Sequence, residues 1–470
     1  PGGSWKRYSH DARGRAVLEV APLGNAAPGA DVSLCHVVSN SYAPVDALDT
    51  GADEWFTRPR TITEYDAGVP VSRTYHAYYR TAGGERVEIE ERAATPDDPY
   101  GAPGNPRTKR TWYAVNKAEP WSDEIRYIER PGGLIESHVY EAGVLDASGA
   151  DPAAWSFTPD PTGLWVRATA DHGTADSPGG IPGCSLRQVT IRDQFGRARL
   201  GETWLCTGET NYARTAWTAT MRDAFGHAIA TLGSDGTLAE TAWGCCGPES
   251  ETAADGTVTD TAYDALNRPV LTTREGHGTR PGLFTETAYD AAGRVTFRRA
   301  SSGGLSQTTT NTYDLAGRLV WSRGPDGIET AYSYGSNSTT TIRGGLTNLA
   351  VRFADGRSHY TEQNGIRRQT HAYGVNPDGT QWSTVFIGPE GADSAAWQKT
   401  VTDPLGRTVA RILPGFGGTL LVTSNFYDTA GHLVRTERWT LGVESRLLSR
   451  SLFTYDDLGE PLLTCLDLDL

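Results

Sequence analysis

The chain has 470 residues, including 54 glycines, and a formal net charge of -14 at pH 7. That charge argues against a nucleic-acid-binding protein and against attachment to anionic lipid, because like charges repel. No apolar run approaches the roughly 18 residues that a membrane-spanning helix needs. The start, PGGSWKRYSH, predicts no signal sequence and lacks methionine, so we expect a processed or excised piece of a longer protein.

Residues 1–185 are predicted to form a β-rich N-terminal region. Segments such as SRTYHAYYRT and ERVEIEER alternate like strands, and ITEYDAGVPVSRTY looks like a repeat with one turn residue deleted. Loops rich in proline and glycine occupy residues 95–106 and 177–183, and we place a boundary at the second, between residues 185 and 186. The region is either a degenerate stretch of the sheet that follows or a separate β-sandwich that plugs or extends it.

The densest set of candidate catalytic residues lies in TYHAYYR, where alternation places His76, Tyr78 and Arg80 on one face of a strand. His138 and Tyr140 in ESHVY have the same arrangement. A His or Tyr base, a Tyr acid and an Arg that neutralises a carboxylate would suit a polysaccharide lyase acting on a uronic-acid sugar. The pattern favours the alternative that these are half-buried strand residues.

The tryptophans of this region suggest a second role. Aromatic side chains on a curved β-surface can stack on the apolar faces of sugars. Most of the 13 tryptophans and 20 tyrosines are expected to pack within the sheet. A few tryptophans in the non-repeat part could line a glycan-binding groove: Trp5, Trp55, Trp112, Trp121 and Trp155.

The cysteines do not form a disulfide framework, because there are only six of them. Cys245 and Cys246 are adjacent, and a Cα separation of about 3.8 Å lies below the usual disulfide range of roughly 4.4–6.8 Å. We expect buried thiols, or separate partners such as Cys184 or Cys206. No Cys or His pairs have zinc-site spacing, and the sequence predicts no metal or other cofactor.

From residue 186 to the C-terminus the chain is repetitive. Eight copies of a motif have Asp followed three residues later by Gly, or once by Asn267, which tolerates positive φ. They are RDQFGR, RDAFGH, YDALNR, YDAAGR, YDLAGR, TDPLGR, YDTAGH and YDDLGE. This spacing is typical of a type I turn that leaves through a left-handed residue into a bulge. A Tyr before the turn and an Arg or His after it could stack or pair across strands.

A second turn signal, Asp-Gly, falls between these motifs at Asp235, Asp255, Asp326, Asp355 and Asp378. Such dipeptides between alternating runs predict hairpins. One repeat is therefore one hairpin unit, and the 89-residue gap between Asp314 and Asp403 should hold about three degenerate units. We predict an all-β fold in which repeated hairpins form a continuous, curling or spiralling antiparallel sheet.

These motifs resemble the repeats of YD-repeat, or RHS-repeat, proteins: bacterial Rhs toxins, the BC component of insecticidal toxin complexes, and teneurins. The resemblance covers the chain from about Val189 onward. It implies a spiralling β-sheet cocoon that encloses a passenger toxin, or a cell-surface barrel. Toxin members also carry a self-cleaving Asp-Pro-x-Gly element after the repeats. Here that pattern occurs only at Asp403–Gly406, inside an ordinary repeat, so neither self-cleavage nor toxicity is assigned to any residue.

The sequence thus favours a secreted or surface-exposed YD-repeat shell or scaffold without enzymatic activity. We expect its partner to be an enclosed or displayed polypeptide, or another copy joined through sheet edges. The alternative is a carbohydrate-binding or lyase-type protein on the same β-frame.

Overall fold

The computed structural model describes residues 5–50, 53–116, 119–149, 151–174, 186–207, 211–388, 396–442, 444–456 and 459–467. Within these ranges, 35 strands form one antiparallel sheet. Short 3₁₀ turns interrupt the strands at Val32–Leu34, Asp53–Trp55, Pro131–Gly133, Pro152–Ala154 and Phe416–Gly418. No helix in the described part of the chain is long and apolar enough to cross a membrane. The predicted all-β hairpin fold is confirmed.

The first eleven strands precede the predicted boundary. They are β1 (Arg7–His10), β2 (Ala16–Ala21), β3 (His36–Ser41), β4 (Thr61–Asp66), β5 (Val69–Arg80), β6 (Arg86–Arg92), β7 (Arg107–Trp112), β8 (Ile125–Glu129), β9 (Leu134–Asp146), β10 (Ser156–Pro159) and β11 (Trp165–Thr174).

The next twelve strands carry the first five YD turns. They are β12 (Leu186–Asp193), β13 (Ala198–Cys206), β14 (Tyr212–Arg222), β15 (Ala228–Gly233), β16 (Leu238–Trp243), β17 (Pro248–Thr252), β18 (Val258–Tyr263), β19 (Pro269–Arg274), β20 (Leu283–Tyr289), β21 (Val295–Ser302), β22 (Leu305–Tyr313) and β23 (Leu319–Arg323).

The last twelve strands follow without a break in the pairing. They are β24 (Glu329–Tyr334), β25 (Ser338–Arg343), β26 (Leu346–Arg352), β27 (Ser358–Gln363), β28 (Ile366–Val375), β29 (Gln381–Ile387), β30 (Trp397–Thr402), β31 (Thr408–Pro414), β32 (Leu420–Tyr427), β33 (Leu433–Leu441), β34 (Arg446–Tyr455) and β35 (Pro461–Asp467). Strands β24–β30 fill the 89-residue gap with hairpins, as the sequence predicts.

The strand row has one irregularity, at β9. Residues 134–143 of this long strand pair with β11, whereas its last four residues pair with β10. Strand β10 therefore lies outside the regular row, and β9 and β11 are neighbours in it. Because both β10 and β11 run antiparallel to β9, the alternation of strand direction shifts by one at this point. As a consequence, the turns at Asp11 and at all eight YD motifs lie along one edge of the sheet, here called the YD edge.

The sheet curls until its two edges meet. In the β2–β3 loop, the Asn25 side chain accepts a hydrogen bond from Ala354 N in the β26–β27 turn at 3.1 Å. At the β4–β5 turn, Asp66 accepts one from Gln381 Nε2, beside the β28–β29 turn, at 2.9 Å. At the β8–β9 turn, a Cβ added to Gly132 would lie 2.5 Å from Ala430 Cβ in the β32–β33 turn.

These three contacts have the same offset along the chain. The strand number rises by 24 in each case, from β2 to β26, from β4 to β28 and from β8 to β32. Because β10 lies outside the row, the offset is 23 positions in the row. Neighbouring strands run in opposite directions, so an odd offset brings a turn on one edge against a turn on the opposite edge. The sheet is therefore a strip wound as a spiral. The later strands place their YD edge against the other edge, here called the plain edge, of the earlier strands.

The packed core is confined to the first half of the chain. Among the described residues, every buried hydrophobic side chain lies between Val20 and Ala219. One cluster joins Leu145 on β9, Trp155 in the segment between β9 and β10, and Ile191 on β12. Beyond Ala219 the described strands bury three polar side chains, Thr370, Thr384 and Glu437, and their hydrophobic side chains are half-buried or exposed. This part is built as a wall, with no second layer packed on it.

The predicted boundary at residues 185 and 186 adjoins residues 175–185, which lie outside the described residues. Strands β11 and β12 on either side of it pair over eight residues, from Trp165 opposite Asp193 to His172 opposite Leu186. The division into two regions stays a prediction.

Candidate functional site

Each YD turn is organised by its aspartate. In the turn at Asp290, Gly293 N donates to the Asp290 carbonyl at 3.0 Å, and Gly293 has φ +80°. The Asp290 carboxylate accepts from the backbone N–H groups of Ala292 and Arg294 and from Arg294 Nε. A bulge follows, because the register shifts between Ala288 and Tyr289. The predicted type I turn with a left-handed exit and a bulge is confirmed at this repeat.

The arginine after the turn links successive repeats. Arg294 pairs with its own Asp290 and stacks over the ring of Tyr313 in the next repeat, with 4.8 Å between guanidinium carbon and ring centroid. Arg268 does the same with Asp264 and Tyr289 at 4.7 Å. The sequence predicts that a Tyr and a cation flank each corner. The structure shows that the cation stacks on the tyrosine of the following corner.

The tyrosine hydroxyl adds a hydrogen bond between successive repeats. It donates to a backbone carbonyl five residues after the previous turn aspartate, as in Tyr289 to Pro269 and Tyr313 to Val295, both at 2.9 Å. The ion pair holds the arginine within its own turn, and the stacked ring and the hydroxyl hydrogen bond tie that turn to the next repeat, so these contacts stabilise a sheet that has no hydrophobic core beneath it. The turn carboxylates thus have a structural role.

Sequence reasoning missed one turn of this kind. In HDARGR, Asp11 accepts from Arg15 N and Arg15 Nε, and Gly14 N donates to the Asp11 carbonyl at 3.0 Å. Arg15 stacks on Tyr42 at 4.1 Å, and the Tyr42 hydroxyl donates to Ala16 O. The signal was present as Asp, Gly three residues later and Arg after it, but a His replaces the usual Tyr.

The first group of candidate catalytic residues lies on β5. His76 and Tyr78 stack with 6.1 Å between ring centroids, and Tyr78 stacks in turn on Trp55. The loop between β3 and β4 covers this face, so Tyr78 is only 8% exposed. Arg80 forms a two-pronged ion pair with Glu54, at 2.8 and 2.9 Å. Its positive charge is already matched by a carboxylate of the protein.

A buried ion pair holds that covering loop in place. Arg60 is 1% exposed and donates to both carboxylate oxygens of Asp49, at 2.7 and 3.1 Å. Tyr78 N donates to the same carboxylate at 3.2 Å. Burial lowers the pKa of His76 and raises the pKa of Tyr78. His76 is therefore neutral and Tyr78 protonated at pH 7, which are the forms that a base and an acid would need.

The second group lies on β9. His138 Nε2 is 2.8 Å from Glu136 Oε1, and the Tyr140 hydroxyl donates to Ile125 O at 3.0 Å. Burial raises the pKa of Tyr140 to about 12. Burial alone would also raise the pKa of Glu136, but hydrogen bonds from Arg130 and His138 lower it below its ordinary value.

The structure does not bring the two groups together. Strands β5 and β9 are separated by β6, β7 and β8 in the row, which is about 19 Å at ordinary strand spacing. Each group has structural contacts that account for its position. A catalytic role for His76, Tyr78, Arg80, His138 or Tyr140 stays a prediction.

Of the five tryptophans singled out as groove candidates, Trp155 lines a cleft. This cleft of about 680 Å³ lies over β9, β11, β12 and β13, and its aromatic lining also includes Phe157, Trp204 and Tyr212. Arginine–carboxylate pairs stand beside the rings, including Arg187 with Asp171 and Arg167 with Glu141. Trp5, Trp55 and Trp112 make packing contacts within their own surroundings instead.

The adjacent cysteines differ from the expectation. Cys245 and Cys246 are free thiols in the β16–β17 turn, with their Sγ atoms 2.8 Å apart; Cys245 is exposed and Cys246 partly buried. Buried thiols or separate disulfide partners were the wrong expectation, because this turn lies at the exposed sheet edge. Cys206 is disulfide-bonded, and Cys184 lies outside the described residues.

Of the comparisons with known proteins, only the one with solved structures found proteins similar to this chain. No family model matches the chain, and no curated protein matches it. One similar structure is a variant Tc holotoxin pore of Photorhabdus luminescens, with 11% identity and a TM-score of 0.38, covering 98% of this chain and 26% of that one. Another is the crystal structure of TcdB2-TccC3, with 10% identity and a TM-score of 0.37, covering 99% of this chain and 34% of that one.

The chain thus spans about a quarter to a third of the length of these proteins. Likenesses at such TM-scores carry no argument about activity. The repeats themselves recur in this chain as an aspartate turn, an arginine that contacts two repeats and a tyrosine hydroxyl that bonds to the previous repeat. In these features the chain resembles YD-repeat proteins.

Proposed function

We propose that this chain is a wall segment of a YD-repeat shell that encloses a polypeptide, and that it acts outside the cell or at its surface. The observation that carries the proposal is the constant offset between the turns that meet at the two edges of the strip. A strip that winds back on itself at a fixed interval surrounds a space, and a single-layer wall leaves that space unfilled by side chains.

The single-layer half supports this proposal. A sheet that packs against a second layer buries one face in a hydrophobic core. Here the described strands beyond Ala219 bury no hydrophobic side chain. The contacts among the turn Asp, Arg and Tyr residues stabilise the sheet in place of a hydrophobic core. The disulfide at Cys206 favours an oxidising compartment and therefore a secreted or surface location.

Cryo-electron microscopy of the purified chain tests the proposal. We expect a curved wall one sheet thick, wound around a hollow, with the β2–β3 loop resting on the β26–β27 turn. Native mass spectrometry of the same preparation would detect an enclosed polypeptide. Two sheets packed face to face, without a hollow, would rule out a shell wall.

A second candidate function is glycan binding in the cleft at Trp155. The observation that favours it is the combination of four aromatic rings with arginine–carboxylate pairs in one open cleft, since sugars are held by stacking together with polar contacts to hydroxyls. Titration with cello- and galacturono-oligosaccharides, followed by tryptophan fluorescence, should show saturable binding that Trp204→Ala weakens and Trp112→Ala leaves unchanged. No response to either sugar at millimolar concentration would reject this function.

A further inference from the structure

The β16–β17 turn brings two adjacent thiols into contact. Cys245 and Cys246 are its central residues, and a hydrogen bond from Gly244 N to the Gly247 carbonyl, at 2.9 Å, closes it. In a strand, successive side chains point to opposite faces. In this turn the two Sγ atoms instead lie 2.8 Å apart. The dithiol is therefore complete within one turn.

Glycines on both sides of the pair let the backbone adjust to a change at the sulfur atoms. Gly247 has φ +152°, and a Cβ added there would lie 2.8 Å from the Tyr263 hydroxyl. A Cβ added to Gly244 would overlap the carboxylate of Glu249. A disulfide bond is about 2.05 Å long, so joining the two sulfur atoms requires a movement of less than about 1 Å.

The two thiols have different surroundings. Cys245 is exposed and Cys246 is partly buried. The hydrogen bond with Cys245 raises the pKa of Cys246, and burial and the charges of Cys245 and Glu249 raise it further. Since the thiolate is the nucleophile in disulfide exchange, the first attack belongs to Cys245. Once Cys245 has reacted, its charge is gone and Cys246 loses its proton more readily.

We propose that Cys245 and Cys246 form a reversible redox site whose substrates are low-molecular-weight disulfides. The Cys245 thiolate attacks one sulfur of the substrate, forms a mixed disulfide and releases one thiolate. Cys246 then gives its proton to solvent, attacks Cys245 Sγ and displaces the second thiolate, which leaves a disulfide between the adjacent residues. The protein loses two electrons and two protons, and the substrate is reduced to two thiols.

The oxidised turn is easily reduced again. Adjacent Cα atoms are about 3.8 Å apart, below the usual disulfide range of roughly 4.4–6.8 Å, and such a departure stores strain that makes the bond more reducible. A small thiol reopens the ring by the reverse reaction. The turn is therefore closed in surroundings where the disulfide at Cys206 persists, and opens before that disulfide when thiols are present.

Peptide mapping of the purified chain tests the proposal. The tryptic peptide of residues 223–274 contains Cys245 and Cys246 and no other cysteine. The reduced chain is incubated with oxidised glutathione, and the remaining thiols are blocked with iodoacetamide. We expect this peptide to be lighter than the dithiol form by two hydrogen atoms, without a glutathione or alkyl group. The exposed Cys465 is the internal control, since a single thiol should stop at the mixed disulfide.

Two variants separate the roles of the thiols. Cys246→Ser should retain glutathione on Cys245, because the attacking thiol of the second step is missing. Cys245→Ser should react with oxidised glutathione at least about tenfold more slowly, because its remaining thiol is less accessible. Unchanged circular dichroism and Tm would verify folding of both variants. In glutathione buffers of increasing reducing strength, the wild-type ring should open before the disulfide at Cys206.

Three results would overturn the proposal. A glutathione group that persists on Cys245 of the wild-type chain would show that the ring does not close. Dimers linked through the peptide of residues 223–274 would show that the thiols pair between molecules. A ring that stays closed after the disulfide at Cys206 has been reduced would contradict a readily reversible site.

Discussion

At the scale of single residues, the turn aspartate and the arginine after it do most to stabilise the wall. The Asp403 carboxylate accepts from Leu405 N, Arg407 N and Arg407 Nε. The guanidinium of Arg407 then stacks over Tyr427 at 4.8 Å. One arginine thereby serves two repeats, which explains why the turn motif recurs although the strands between the turns vary.

Arg407→Ala should lower the stability of the folded chain by about 1 kcal/mol, because it removes a partly buried ion pair and a stacked ring. Arg438→Ala is the matched control, since this exposed arginine on β33 makes no side-chain contact of this kind within the described residues. Thermal unfolding of both variants measures the difference. Equal melting temperatures would mean that the contacts of Arg407 with Asp403 and Tyr427 are dispensable.

The turn glycines act through the backbone at the same scale. Gly293 has φ +80° with open space around it, so Gly293→Ala should cost roughly 1 kcal/mol from backbone strain alone. Gly201 lies in β13 with an ordinary φ, and its added Cβ would meet nothing closer than Thr218 O at 4.0 Å. Gly201→Ala should therefore leave stability unchanged or slightly raise it. Chemical denaturation compares the two, and a reversed order would contradict the assigned geometry.

At the scale of elements, β3 and β4 carry a titratable contact at the place where the windings meet. His36 Nδ1 lies 2.7 Å from Asp66 Oδ1, and Asp66 also accepts from Gln381 in the later winding. The hydrogen bond to Asp66 raises the pKa of His36, the nearby charges of Asp66, Glu64 and Glu19 raise it further, and burial opposes them. The protonated form of His36 is therefore favoured in the folded chain.

This contact predicts a pH dependence with a definite sign. A raised histidine pKa gives stability that is fully present below the unfolded value near 6.5 and is lost as pH rises through the higher folded value. His36→Gln should remove this part of the pH dependence of Tm. His76→Gln is the opposite control, because burial lowers the pKa of His76, so its contribution is lost as pH falls below about 6.5. Parallel shifts in the two variants would refute this account.

At the scale of the whole molecule, a few polar contacts fix the winding. The side chains of Asn25 and Gln381 each bridge the earlier and later strands, and beside Asn25 the backbone of Gly24 exchanges two hydrogen bonds with Asp355. Every ladder among the described strands joins near neighbours in the row, so the strand pairing alone does not specify which turns of the two windings meet. The edge contacts therefore set which turns of the two windings meet.

Asn25→Ala combined with Gln381→Ala should loosen the spiral without unfolding the strands. We expect a larger radius of gyration in small-angle X-ray scattering, faster proteolysis at the β26–β27 turn, and an unchanged circular dichroism spectrum. Gln307→Ala, at an exposed position on β22, is the control. An unchanged scattering curve for the double variant would show that the winding is held by other means.

The repeats were largely predictable from the sequence, whereas the N-terminal region was less so. Alternating strands, Asp-Gly turns and the YD motif are local patterns, so they identified the hairpins. The turn at Asp11 was missed because His10 stands where the motif has Tyr. The cover over His76 and Tyr78 could not be foreseen, since it depends on the buried pair of Arg60 and Asp49 in the β3–β4 loop, and strand alternation does not specify how a loop folds over a sheet face.

The sequence by itself determined the elements of this protein: the hairpins and their bulged turns. These follow from backbone preferences that act over four to six residues, so no distant contact is needed to specify them. The tertiary structure alone decided which tyrosine each arginine stacks on and the 23-position offset of the spiral. The stacks join neighbouring repeats, as in Arg294 with Tyr313, and the offset depends on contacts between residues more than 300 positions apart. Both reach beyond the few residues over which local patterns act.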